Sequence, residues 1–132
     1  NETEIETITG QQIQKVGIKS IMLEVLLKGV RMVILTMGSK GSYFMDSGSF
    51  SFVPAYQVKA IDSTAAGDVF CGALLARLSQ GSNIEAAIQF ATAAAAISVT
   101  KSGAQPSIPM PDEVDEFIRC NQTLETINYE KD

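Results

Sequence analysis

Histidine is absent from all 132 residues, and Cys71 and Cys120 are the only cysteines. Without an imidazole, the commonest general base and most metal-binding triads are excluded, which leaves carboxylates as the natural acid–base groups. Two cysteines this far apart make neither a disulfide framework nor a zinc spacing. Both read as free thiols of a reducing compartment, with Cys71 expected to be packed rather than reactive. Basic charge is also scarce: ten Lys and Arg against fifteen Asp and Glu leave a net charge of −5, with no basic run. Nucleic acid and anionic membranes therefore have no electrostatic footing as partners. The longest apolar stretches are interrupted by Lys28, Gln89, Thr92 or Ser98, and none approaches a membrane span. With no secretory pattern recognisable, the expected location is cytoplasmic.

What the chain does have is apolar content. A hydrophobic fraction of 45% is ample for the core of one domain spanning 1–132. Apolar positions from Ile13 to Leu27 predict an amphipathic helix over Gln11–Lys28, ending at Gly29. Met32–Leu35 reads as a buried parallel strand that delivers Thr36 and the Gly38/Gly41 turn to a sheet edge where ligands bind in open α/β folds. A hairpin is expected from Ser42–Met45 and Phe50–Val53, and a further strand at Val58–Ile61. Helices follow at Asp68–Leu78 and from a Ser82/Glu85 capping box to about Val99. The alanines between Ala86 and Ala96 make the second helix nearly smooth, suited to close packing against a cofactor or simply to a tight core. Pro106, Pro109 and Pro111 impose an extended loop, Asp112–Ile118 starts a closing helix, and the polar tail from Asn121 is expected to end in mobile residues.

The segment Asp62-Ser63-Thr64-Ala65-Ala66-Gly67-Asp68 carries the chemistry. Small residues run straight into a helix with an apolar face, so free N–H groups should converge at its start as an anion cradle. With so few cations in the chain, phosphate binding would rest on such N–H groups and a metal ion. Asp68 can be read as a first-turn acid that stabilises the helix dipole, or as a base beside a developing phosphoryl charge.

These residues resemble the second signature of the ribokinase-like, or pfkB, family of carbohydrate kinases. Further similar segments lie in the family's order: Asn1-Glu2-Thr3-Glu4, Thr36-Met37-Gly38-Ser39-Lys40-Gly41, the alanine-rich helix from Phe90 to Ser98, and Gly103-Ala104-Gln105-Pro106-Ser107-Ile108-Pro109. The resemblance implies an α/β fold, the C-terminal, nucleotide-binding part of a three-layer α/β/α architecture. The sugar-binding half and its lid are then expected upstream, and an unpaired sheet edge alongside Met32–Leu35. It implies ATP and a small sugar as substrates, Mg2+ and K+ as cofactors, and a homodimer for the complete protein.

Roles follow by position. Asp68 matches the catalytic base, and Ala65, Ala66 and Gly67 match the anion hole, Ala65 standing where many relatives carry Gly. Asn1 and Glu4 match the Asn-x-x-Glu motif that organises magnesium and phosphates; a solvated acidic terminus is the plainer alternative. Thr36, Gly38 and Gly41 resemble the nucleotide-contacting turn, and Thr92 stands where relatives often place His or Asn beside the adenine. Asp62, the Thr64 carbonyl, the carbonyls of Ser98, Lys101 and Gly103, and the Ser107 hydroxyl correspond to the potassium ligands. The activity implied is ATP-dependent phosphorylation of a sugar hydroxyl, ribokinase-type, with the 132-residue chain alone expected to be inactive. The alternatives are a nucleoside, fructose or other small-alcohol kinase of the same fold, or a non-catalytic nucleotide-binding module.

Overall fold

The computed structural model describes residues 1–121 and 125–129. Contacts gather them into two compact units, Asn1–Pro54 with the strand near Tyr129, and Ala55–Glu125.

The first unit opens with helix α1, Glu2–Thr9, which ends at Gly10 in the left-handed conformation. The helix expected over Gln11–Lys28 is two: α2, Ile13–Val16, and α3, Ile18–Leu27, parted by Gly17 at φ 82°. A positive φ is open to glycine at little cost, so the apolar repeat runs through a corner that interrupts the helix. Strands β1, Met32–Thr36, β2, Gly41–Asp46, β3, Phe50–Pro54, and β4, Ile127–Tyr129, form a sheet in the order β1-β2-β3-β4. Every pairing among them is antiparallel. The parallel direction expected for Met32–Leu35 is thus corrected: the short turn at Gly38–Lys40 folds the chain back onto its own preceding strand. Nor is that strand buried throughout, since only Leu35 is fully covered and Met32 is exposed.

The hairpin β2–β3 is as expected, and Asp46 closes its turn by accepting from the Gly48 and Ser49 N–H groups at 2.6 and 2.7 Å. Ile5, Ile21, Met22, Leu35, Met37, Met45 and Phe50 make the core of this unit. A ten-residue helix such as α3 is marginal alone, so burial of Ile21 and Met22, at about 1.5–3 kcal/mol per side chain, is what holds it.

The second unit is helical. Helix α4, Ala66–Ser79, packs on α5, Ile84–Val99, and α6, Pro111–Cys120, packs on α5. The cap of α5 is Asn83, whose side chain accepts from the Ala86 N–H at 2.8 Å, rather than Ser82. Asn is as good a cap as Ser, and here it stands one residue closer to the first helical turn. Val58–Ile61 forms no strand. It has no ladder partner among the described residues, and the N–H groups of Ile61 and Asp62 go instead to the Val99 carbonyl at the end of α5. Ala65, Val69, Phe90, Ala93, Ala94, Ile97 and Val114 form the core. Cys71 and Cys120 are free, but both are exposed, so Cys71 is not packed as expected: it sits on the face of α4 that the unit's core leaves uncovered. The expected mobile end falls partly outside the described residues.

Candidate functional site

At Asp62 the chain turns towards α4. One carboxylate oxygen accepts from the Thr64 N–H at 3.0 Å and the Thr64 hydroxyl at 2.6 Å, an Asx turn that aims the backbone into the helix. The Ala66 N–H then bonds the Ser63 carbonyl at 3.2 Å, and the Val69 N–H bonds Ala65 at 2.9 Å. Between these two, the N–H groups of Gly67 and Asp68 have no acceptor among the described residues, and no side chain caps the helix. Such free donors, added to the positive end of the helix dipole, suit an anion. Space in front of them is open, since a Cβ at Gly67 would meet nothing within 4 Å. Ala65 is buried beneath, and Asp68 is exposed at the rim of a cleft of about 390 Å³. The walls of that cleft are largely apolar and include Gly72, Phe90, Ala94 and Gln105.

The second carboxylate oxygen of Asp62 accepts from the Gly103 N–H at 3.0 Å. Asp62 therefore pins the loop before α4 to the loop after α5, and the bonds from the Thr64 hydroxyl, the Thr64 N–H and the Gly103 N–H hold its carboxyl below the usual range. Gly103 needs its φ of 86° to make this contact. The carbonyls of Thr64, Lys101 and Gly103 accept no hydrogen bond from a described residue, whereas that of Ser98 accepts from the Lys101 N–H at 3.1 Å. Ser107 is buried and its hydroxyl donates to the Ala104 carbonyl at 2.6 Å, leaving its oxygen lone pairs available. Of the residues expected to hold potassium, Asp62, Thr64 and Gly103 are thus joined by hydrogen bonds, and hard oxygens of this kind suit a monovalent cation.

The other expected residues lie elsewhere. Asn1 caps α1: its side chain accepts from the Glu4 N–H at 3.0 Å while the Glu4 carboxylate accepts from the Asn1 nitrogen at 2.7 Å. This capping box accounts for both residues locally, and the exposed Glu4 carboxylate keeps one oxygen unengaged, enough for a Mg2+ that takes one carboxylate alongside phosphates and water. Among the described residues no cluster of three or more acidic or thiol groups could hold a metal by itself. Thr36 ends β1, and Gly38 adopts φ 57° at the turn, with nothing within 4 Å of where a Cβ would stand. Thr92 is buried in α5 and its hydroxyl donates to the Ile88 carbonyl at 2.8 Å, so it is directed along its own helix. Asn1, Glu4, Thr36, Gly38 and Gly41 belong to the first unit, and the remaining site residues to the second. One contact of the second unit had no sequence signal: Arg77 reaching both Phe90 and Asp115.

Residues 1–111 match the pattern of the pfkB family carbohydrate kinases. The chain belongs to that family. It is 41% identical to the ribokinase of Haemophilus influenzae over 122 residues, covering 89% of this chain and 39% of that protein. Arabidopsis thaliana ribokinase, solved with ribose and ATP, superposes with a TM-score of 0.82 at 29% identity, over 92% of this chain and 40% of that one. An Escherichia coli protein solved with ATP and Mg2+ gives a TM-score of 0.76 at 30% identity, over 78% and 33% of the two chains. The fold is thus a ribokinase-like α/β fold, and the pfkB chain spans about two fifths of the length of the relatives it matches. Among its described residues no helix is long and apolar enough to cross a membrane.

Proposed function

We propose that residues 1–132 are one partial domain, the C-terminal, nucleotide-binding part of a cytoplasmic ribokinase-type kinase that is a homodimer when complete. Its reaction is transfer of the γ-phosphoryl group of ATP to a sugar hydroxyl. The observation that carries this reading is the start of α4, where the N–H groups of Gly67 and Asp68 find no acceptor among the described residues and the side chain of Asp68 is exposed. A carboxylate in that position takes the proton as the sugar oxygen bonds to the γ-phosphorus. The bridging P–O bond breaks and ADP departs. The N–H groups meanwhile stabilise charge that builds on the equatorial oxygens, which is the main demand of phosphoryl transfer. Ala65 and Ala66 bring only methyl groups to this turn.

Thr36, Gly38 and Gly41 would receive the nucleotide, with backbone close to it, and Thr92 would lie near the base. Glu4 and Asn1 would hold Mg2+, which neutralises phosphate charge. Asp62, Thr64, Ser98, Lys101, Gly103 and Ser107 would hold K+, which orders the loops flanking the anion cradle. Two relatives support the substrates: the Arabidopsis ribokinase holds ribose and ATP, and the E. coli protein holds ATP and Mg2+. The test is phosphorus NMR of the longer protein containing this chain, incubated with ATP, Mg2+, K+ and ribose. Equal growth of ADP and a ribose phosphate is expected. Binding of ATP with no transfer to ribose or another sugar would favour a non-catalytic nucleotide module instead.

A further inference from the structure

The guanidinium of Arg77 on α4 lies 3.8 Å from the centroid of the Phe90 ring on α5 and donates a hydrogen bond to the Asp115 carboxylate on α6. One side chain thus ties three helices. It is only 27% exposed, so the stacked guanidinium is partly withdrawn from water and its planar fork is held in one orientation. Phe90 and Val114 line the same cleft as Asp68, together with Ala73 and Ala76 of α4.

Helix α6 begins at Pro111, directly after the segment 103–110, whose Gln105, Ile108 and Pro109 line the same cleft. External ties on that segment are few. At its start Gly103 bonds Asp62, and nearby Lys101 pairs with Glu113 at 2.7 Å. Its internal bonds, Ser107 N–H to Ala104 and Ile108 N–H to Gln105, at 3.2 Å each, form a single 3-10 turn that cannot fix the segment's place. Burial of Ser107 and Pro109 holds the middle of the segment, and its far end runs directly into α6.

We propose that Arg77 is a positioning residue: through Asp115 and Phe90 it holds α6, and with it the 103–110 segment, against the Asp68 end of α4. The kinetic consequence rests on the phosphoryl-transfer reading given above; the structural consequence does not. An ion pair and a stacked cation together are worth about tenfold in an opening equilibrium. Loss of Arg77 should therefore free the segment more than the centre of α5, where Ala93 and Ala94 lie buried in the core of the unit.

Amide hydrogen exchange on the 132-residue chain tests this. Arg77→Ala is expected to raise exchange about tenfold at Gly103, Ser107 and Ile108 while Ala93 and Ala94 hold their protection. Arg77→Lys, which keeps the charge, should recover part of the loss, and Asp115→Asn, which keeps the ring contact, should give a smaller rise and serves alone if Arg77→Ala does not fold. In the longer protein Arg77→Ala should raise the potassium concentration for half-maximal rate several-fold with less change in kcat. Unchanged exchange across 103–108, or an equal rise at Ala93 and Ala94, overturns the proposal. A longer protein without kinase activity would sink the functional reading, and the exchange result would still decide the role of Arg77.

Discussion

The Asp62 carboxylate accepts a hydrogen bond from the backbone of Gly103, a residue 41 positions further along the chain, while its other oxygen holds Thr64. A single acid therefore sets the distance between the loop that enters α4 and the loop that follows α5. Since each of these bonds favours the ionised form, its folded-state acidity is enhanced.

The pH dependence follows from that sign. A carboxyl depressed below its usual 3.8 contributes stability above that value and loses it as pH falls through the lower folded value. Protection of the Gly103 amide, corrected for intrinsic exchange, should be level from pH 7 to about 4 and drop below it. In Asp62→Asn it should already be low at pH 7 and stay flat, because one side of the amide is a donor facing donors. Equal protection in both proteins at pH 7 would remove Asp62 from this role.

Gly67 separates ligand binding from folding. Its φ is not positive and a Cβ there meets no protein atom, so Gly67→Ala should keep or raise stability by roughly 0.5–1 kcal/mol through a stiffer unfolded chain and better helix propensity. The same methyl group would stand in the approach to the free N–H groups. Thermal melts should thus show an equal or higher Tm, and titration with ADP or phosphate a several-fold weaker affinity. Weaker binding together with a lower Tm would point to a structural need for glycine instead.

Much of this architecture was legible in the chain. The β2–β3 hairpin, α4, α5 and α6 follow from turn residues, caps and apolar period, which act within a few residues. Three features escaped for physical reasons. Gly17 sits inside an unbroken apolar repeat, and only its positive φ reveals the corner. Val58–Ile61 has strand-like residues, but a strand also needs a partner, and the backbone of Ile61 finds the end of α5 instead. Ile127–Tyr129 pairs with β3 from within a polar tail, where three residues are too few to show a period. At the candidate site, the small-residue turn into α4 and the motif residues were visible as local patterns, whereas the Asp62–Gly103 and Arg77–Phe90 contacts depend on tertiary placement that spacing does not encode.

The outer side of β1 is the third testable feature. It ends the strand order, no described residue pairs with it, and Val30 and Met32 beside it are 47% and 42% exposed. An open edge flanked by apolar side chains recruits another strand. Light scattering on the 132-residue chain should show self-association that grows with concentration, and Val30→Lys with Met32→Lys should shift it towards monomer. A monodisperse species of 14.1 kDa at high concentration would show the edge to be inert.

The central claim is that Asp68 removes the proton from the accepting hydroxyl while the neighbouring N–H groups bind phosphate. Steady-state kinetics of ATP-dependent ribose phosphorylation by the longer protein, for Asp68→Asn against the unaltered enzyme, tests it most directly. The account predicts a kcat lower by roughly 10²–10⁴ with ATP affinity nearly unchanged, the scale for loss of a general base. An unaltered kcat would contradict it and place the base elsewhere.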